Sequence, residues 1–419
     1  MHVEPHLVQT QSSIAFKART PTFKRFGIAT ICLILIAVVA GIALLPGGVI
    51  TRAIAAGTIP SQPTSINGVA GNQQISLSWG VSENATGYLV EQVDLATGQA
   101  LQLPTLVTGT SSTIGSLAAG RWYRFRIIPV NGTIQGTPSA SIEIRTVGFQ
   151  GAYAHYYVLG DSYSSGEGAP PYSGVKGCYR SVNSYGNRLG SGAPTPVIIA
   201  CSGAVADDID KITQMAGLSG TQLQQLQRNP LANSLITLTI GGNDANFAQE
   251  LQNCIFGFHA CTSRREAISQ RIAALEPRLV QVYREIRSAA PGADIMVLGY
   301  PLLAAAPDIA SCHNPIIKAG LSKSEMSMIR DLAGQLNRVI TQAAAQAGVI
   351  SAAGRVEQAF AGHEVCTKSQ QDEWINEITG VTNMIHGSFH PKLAGYMADV
   401  RAVNAGRTAL YQAGMVRRV

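Results

Sequence analysis

A serine hydroxyl attacks a carbonyl only when a base takes its proton and donors meet the charge that develops on the carbonyl oxygen. Residues suited to each task stand in four stretches of this 419-residue chain. Gly160-Asp161-Ser162 offers a hydroxyl. Cys201-Ser202-Gly203-Ala204 offers backbone N–H groups at a glycine, where the chain can come close to a reacting atom. Gly241-Gly242-Asn243-Asp244 offers a neutral side-chain amide, and Ser388-Phe389-His390-Pro391 offers an imidazole. Taken singly, each stretch also reads as a turn, because Gly, Ser, Asn and Asp are common turn formers.

The elements before these stretches say more. Tyr156-Tyr157-Val158-Leu159 reads as a short buried strand ending at Gly160-Asp161-Ser162. Residues 196–200 (PVIIA) read as a second strand, ending at Cys201. Residues 235–240 (LITLTI) read as a third, ending at Gly241. Residues 294–299 and 349–351 supply a fourth and a weak fifth. Near-continuous apolar runs mean strands covered on both faces, as in a parallel sheet. Helical patterns lie between them over 204–215, 264–290 (bent or broken near Pro277), 324–346 and 391–413. Strands alternating with helices predict an α/β fold, a three-layer α/β/α sandwich on a parallel five-stranded sheet. The first three strands end in candidate chemical residues. One rim of one sheet would gather them, where open α/β sheets bind ligands.

Gly160-Asp161-Ser162-Tyr163-Ser164-Ser165-Gly166-Glu167-Gly168, Cys201-Ser202-Gly203-Ala204, Ile240-Gly241-Gly242-Asn243-Asp244 and Ser388-Phe389-His390-Pro391, in that order, resemble the four blocks of the SGNH (GDSL-type) hydrolases. The likeness is to the secreted actinobacterial-type esterases and lipases, over the last two thirds of the chain. The resemblance implies an SGNH/flavodoxin-like sheet and ester cleavage through an acyl-enzyme. Ser162 would be the nucleophile and His390 its base. The Ser162 and Gly203 backbone N–H groups and the Asn243 side chain would form the oxyanion hole. His386 is the nearest rival to His390 but lacks the following proline. The family usually has an Asp three residues before the His, whereas position 387 is Gly and 386–389 hold no carboxylate. A Ser–His dyad is therefore expected, with a backbone carbonyl near Gly387 or Ser388 accepting from the imidazole, or a remote acid in its place. Asp161 and Asp244 read as acceptors for nearby backbone N–H groups. No metal or cofactor is expected: no His/Asp/Glu cluster has metal spacing, and Gly166-Glu167-Gly168 lacks the Gly-Lys-Ser/Thr ending of a phosphate loop. The same residues would serve acyl transfer to a sugar or lipid acceptor. An inert adhesion or scaffold protein is the non-enzymatic reading, favoured only by Gly387.

The rest of the chain sets the surroundings. Residues 1–26 are polar with basic residues, and residues 27–45 are apolar and uncharged. That run is long enough to span a bilayer, with its amino end cytoplasmic. It reads as a single-pass anchor, or as a long signal peptide cleaved after Ala53-Ile54-Ala55. Its length favours the anchor. Both readings put the remainder outside the cytoplasm. Residues 46–66 read as a linker. Residues 67–147 show short alternating runs at 74–79, 88–93, 122–131 and 141–145, a small β-sandwich. With Trp79, Leu117, Gly120 and Tyr123 they resemble a fibronectin type III domain, all-β, serving as a spacer or touching glycan, cell wall or protein. Residues 150–419 form the hydrolase region.

Six of the seven cysteines lie in that region. Downstream of an export signal an even count reads as three disulfides, with fifteen possible pairings. The family resemblance implies Cys178–Cys201, Cys254–Cys261 and Cys312–Cys366. Charged residues make up only 13 % of the chain and the net charge is +6. No basic stripe interleaved with aromatics appears, so no nucleic-acid partner is expected. The expected partner is an ester substrate, either an acyl lipid or an acetylated glycan.

Overall fold

The computed structural model describes residues 57–148, 153–190, 193–256, 261–305, 309–378 and 387–419. The apolar run at 27–45, the cleavage-like triplet and His386 lie outside them. Among the described residues, no helix is long and apolar enough to cross a membrane.

The first part of the described chain is a two-sheet β-sandwich. Strands β1 (Asn67–Ala70), β2 (Ile75–Ser78) and β5 (Ser111–Ile114) form one antiparallel sheet. Strands β3 (Gly87–Val93), β4 (Thr105–Val107), β6 (Trp122–Asn131) and β8 (Ile142–Arg145) belong to the other, and a two-residue β7 (Ile134–Gln135) pairs with β6. Period-two alternation turns Ile75, Leu77, Tyr88, Val90, Phe125, Ile127, Ile142 and Ile144 into a shared core around Trp79. The Tyr123 hydroxyl accepts from the Ala118 N–H at 2.8 Å, a tyrosine corner that makes the sandwich fibronectin type III-like. The segment read as a linker is part of this body from residue 57 on: the Gly80 N–H donates to the Thr64 carbonyl at 2.6 Å, and Ile66 is buried.

The second part carries a five-stranded parallel sheet in the order β12-β9-β13-β14-β15. Its strands are β9 (His155–Gly160), β12 (Val197–Ile198), β13 (Ser234–Thr239), β14 (Asp294–Val297) and β15 (Ile350–Ser351). Between β9 and β12 a small hairpin pairs β10 (Tyr172–Ser173) with β11 (Arg180–Ser181). β13 is buried along its whole length, as a strand covered on both faces must be. The helices that cover the sheet include α1 (Ser162–Ser165), α2 (Ala206–Asp210), α3 (Gln222–Gln227), α4 (Phe247–Phe256), α5 (Arg265–Ala274), α6 (Glu276–Ala289), α7 (Pro315–Gly320), α8 (Lys323–Ala347), α9 (Ala353–Phe360) and α10 (Leu393–Ala413).

One helix departs from the sequence reading: the expected helix over 204–215 is the five-residue α2, because the chain beyond Asp210 runs into turns. The expected break near Pro277 is present, at Leu275, and Pro277 stands in the first turn of α6. There its missing N–H costs no hydrogen bond.

The two parts are joined by an element the sequence reading did not contain. After α10 the last residues form β16 (Met415–Arg418), which pairs antiparallel with β8 and completes a six-stranded sandwich sheet. Its four residues show no apolar alternation that would announce a strand. Their register instead buries Arg417, which donates to Glu143 and lies 3.8 Å above the Trp122 ring.

A buried ion pair fastens the same junction. Arg145 donates to both Asp294 oxygens at 3.0 and 3.2 Å, and neither side chain is more than 1 % exposed. Tyr153 and Trp122 also donate to Asp294, at 2.8 and 3.1 Å. Asp294 opens β14, so the sandwich docks at the amino end of the parallel sheet, opposite the carboxyl-end rim. Removing one partner of a buried pair strands the other charge, at a typical cost of about 3–5 kcal/mol. Arg145→Ala should lower the unfolding free energy in urea by that much; a loss below about 1 kcal/mol would show that the junction does not depend on the pair.

Candidate active site

Strand β9 ends in a turn that only glycine can make. Gly160 has φ +111°, and a Cβ placed on it would lie 2.0 Å from the Thr239 carbonyl oxygen. The Gln222 side chain receives the Gly160 N–H at 2.7 Å and donates back to its carbonyl at 2.9 Å. Asp161 then caps the one-turn helix α1 by accepting from the Tyr163 N–H at 3.1 Å. It also accepts from the Thr239 hydroxyl at 2.6 Å and from the Tyr300 hydroxyl. Tyr300 in turn accepts from the Gly242 N–H at 3.0 Å. Asp161 thus ties the β9 turn to the turn after β13. Burial pushes its carboxyl up to about 6, against the pull of those hydrogen bonds.

Ser162 follows as the first residue of α1, and its hydroxyl is 2.7 Å from His390 Nε2. His390 Nδ1 lies 2.9 Å from the Ser388 carbonyl oxygen. A carbonyl only accepts, so Nδ1 carries the proton and Nε2 is left to accept from Ser162. Position 387 contributes no side chain to this arrangement. The loop bearing His390 is held by its own backbone: Asn376 receives the Phe389 N–H at 2.8 Å and gives its own N–H to the His390 carbonyl at 2.9 Å. Tyr163 donates to the Phe389 carbonyl at 2.6 Å, and its ring packs on the imidazole with centroids 5.1 Å apart. Phe389 itself sits at φ +60°, a conformation that costs a bulky residue energy and is held by these bonds.

The other two stretches converge on the same point. Gly203 has φ +79° and follows Cys201, which the Cys178–Cys201 disulfide ties to the loop after α1. The Asn243 amide donates to the Ala204 carbonyl at 3.0 Å, so the turn after β13 is bonded to the turn after β12. Both Asp244 oxygens accept the Ala206 N–H at 3.0 Å, and burial raises this carboxyl also. Ser162, Gly203, Asn243 and His390 all line one cleft of about 290 Å³. Its far walls are apolar: Phe247, Leu251, Ile255 and Phe256 from α4, and Leu303 and Leu336 opposite. The other two disulfides, Cys254–Cys261 and Cys312–Cys366, lie in the same part of the chain.

Several residues of the site carry no readable signal in the sequence. Tyr163 and Tyr300 are aromatic residues that any core could use. Gln222 and Asn376 are distant in the chain and meet the site only through folding. Glu167 is different. It lies between two glycines five residues after Ser162, where a carboxylate beside the reacting hydroxyl could have been suspected. The structure puts its Oε2 atom 3.9 Å from His390 Nε2. Among the described residues, no group of three His, Cys, Asp or Glu side chains comes together as a metal site.

The buried Asp161 makes stability depend on pH in a defined direction. Its folded-state value of about 6 lies above the ordinary 3.8, so the folded chain holds the proton more tightly. The associated stability is fully present below pH ~4 and is lost as pH rises through about 6. Asp161→Asn stays neutral and lacks this slope. The stability of the variant relative to the parent should rise between pH 4 and 6 by on the order of 2–3 kcal/mol, read from urea midpoints; parallel curves would contradict the shift.

This geometry has counterparts. Residues 158–398 match the model of the GDSL-like Lipase/Acylhydrolase family. A lipase of Streptomyces rimosus is 36 % identical over 252 residues, which cover 58 % of this chain and 84 % of the relative. Lipase 1 of Streptomyces coelicolor is 34 % identical over 248 residues, 57 % of this chain and 81 % of the relative. The solved structure of phospholipase A1 from Streptomyces albidoflavus NA297 is 33 % identical, with a TM-score of 0.50, over 61 % of this chain and all of the other. The chain belongs to the GDSL-like lipase/acylhydrolase family and is a carboxylic ester hydrolase.

Proposed function

We propose that the protein is an extracytoplasmic serine hydrolase that cleaves acyl-lipid esters through a Ser162 acyl-enzyme. The observation that carries the acyl-lipid reading is the apolar cleft of about 290 Å³ that ends at Ser162 and His390. An acetyl group would leave most of that wall unused. The names lipase and phospholipase A1 of the similar proteins support the same class. Acetylated glycans are the alternative substrate.

The proposed steps follow from the hydrogen bonds. Ser162 Oγ attacks the ester carbonyl carbon, its proton passes to His390 Nε2, and the carbonyl electron pair moves onto oxygen. The Ser162 and Gly203 N–H groups and the Asn243 amide meet that charge. Asn243 gives one hydrogen to Ala204, which orients the other. The tetrahedral centre then expels the alcohol, which takes the proton from His390. Water, deprotonated by His390, releases the acid in the same way. The Ser388 carbonyl supports the catalytic reading over an inert scaffold, since it offers His390 Nδ1 the acceptor that Gly387 does not.

Three disulfides and the basic segment ahead of the apolar run at 27–45 support export, because disulfides persist in oxidising compartments. In this reading 27–45 crosses the membrane as an anchor or leaves as a signal peptide. The sandwich over 67–147 is then a spacer, and 150–419 is the hydrolase domain, whose last strand β16 returns to complete the sandwich sheet. Docking at the amino end of the sheet supports the spacer role, because it leaves the rim open.

Hydrolysis of p-nitrophenyl esters from acetate to palmitate tests the proposal. Each methylene the cleft buries contributes ~0.8 kcal/mol, about fourfold in kcat/KM. The optimum should fall at chains of several carbons and vanish in Ser162→Ala. An optimum at acetate would overturn the lipid reading. Asn243→Ala should lower kcat by ~10²–10³ with little change in thermal midpoint; equal loss of both would remove its oxyanion role.

A further inference from the structure

We propose that Glu167 stabilises the His390 imidazolium from the nucleophile's own loop, in place of the acid that the histidine loop lacks. This rests on the Ser162–His390 reading above. Glu167 is 2 % exposed and lines the cleft. Its Oε1 accepts from the Gly387 N–H at 2.9 Å, and its Oε2 accepts from the Ser202 hydroxyl. Both oxygens therefore act as acceptors, as a carboxylate's do. Oε2 is also 3.9 Å from His390 Nε2.

The departure at position 387 now has a physical reason. Gly387 sits at φ +84°, where a side chain is strained. The loop cannot present a carboxylate from that residue without changing shape. It presents its N–H instead, and a carboxylate from the other loop receives it. The imidazole is thus supported in two halves. The neutral Ser388 carbonyl fixes the tautomer through Nδ1, and Glu167 supplies charge on the Nε2 side. When the Ser162 proton arrives at Nε2, the new positive charge forms beside a buried negative one. Glu167 does not take the proton, which passes on to the leaving alcohol. It is a positioning and charge-compensating residue.

Among the described residues, the other titratable groups here do not offer this. Tyr163 packs on the imidazole from α1, and Tyr396 of α10 donates to the Glu167 carbonyl at 2.6 Å. Tyr172 and Tyr300 stand behind them, receiving the Gly168 and Gly242 N–H groups at 3.0 Å each. Burial pushes all four phenols up, so they remain neutral. Tyr179 packs edge-on against Tyr172. Asp161 is engaged by Tyr163, Thr239 and Tyr300, and burial pushes the Asp399 carboxyl of α10 well above the usual carboxylate range. Among the described residues, Glu167 is the carboxylate facing Nε2.

The test compares pH profiles of the full chain on a soluble ester. Glu167→Gln keeps the shape and removes the charge: its amide oxygen still accepts from the Gly387 N–H, and its NH2 donates to the Ser202 hydroxyl, which turns to accept. Its kcat should fall about tenfold or more with KM within twofold, and the acid limb of kcat/KM should move down by about one pH unit. Ser202→Ala takes a hydrogen bond off the carboxylate and should move the limb the other way, upward by a few tenths of a unit. That variant also carries the test if Glu167→Gln does not fold. An unmoved acid limb in both variants, whatever happens to kcat, would mean that Glu167 only braces the loop, and the proposal would fall. Ser162→Ala and His390→Ala are the reference. If either keeps hydrolysing the ester, the Ser–His reading fails and the Glu167 result is not its cause.

Discussion

The close approach of β9 to β13 is the constraint on which the site depends. Gly160 lies so near the Thr239 carbonyl that even a methyl group would collide with it. Because the strands meet there, Asp161 can accept from Thr239 across the gap. Because Asp161 is held, α1 begins at one defined place and Ser162 faces the rim. Tyr300 carries the same anchoring over to Gly242, beside Asn243. A sheet whose strands diverged at their carboxyl ends would present the same residues too far apart to act together.

That arrangement buries much polarity, and the fold offsets the cost with hydrogen bonds. Gln222 satisfies both backbone groups of Gly160. Tyr163 and Asn376 fasten the loop that bears His390, including a phenylalanine in the left-handed region. The result is a histidine whose tautomer follows from a carbonyl that can only accept. Among the described residues, the sandwich contributes no side chain to the cleft. It grips the far end of the sheet through Arg145, Asp294 and the return strand β16.

Much of this was legible in the residues, for physical reasons. Buried parallel strands read as unbroken apolar runs, so β9, β13 and β14 stood out to within two residues at each end. The long α8 announced itself by its helical pattern over 324–346, and the structure adds Ser322 as its cap. The stretches around Ser162, Gly203 and Asn243 read singly as turns at strand ends, and it was their resemblance, together with the stretch around His390, to the four family blocks that marked them as a site. The short elements were not. β16 is four residues with two arginines, and it is a strand only because β8 offers an open edge. The Arg145–Asp294 pair links residues 149 apart, which no local pattern encodes. Glu167 was passed over because its glycines invited comparison with phosphate loops, whereas its meaning lies in a contact 220 residues away with Gly387.

The account stands on Ser162 as the nucleophile, and covalent trapping addresses that most directly. The full chain would be treated with a fluorophosphonate, digested and mapped by mass spectrometry. The account predicts one adduct, on the peptide that holds Ser162, formed far more slowly in His390→Ala and not at all in Ser162→Ala. An adduct on another residue, or equal labelling of Ser162→Ala, would contradict it.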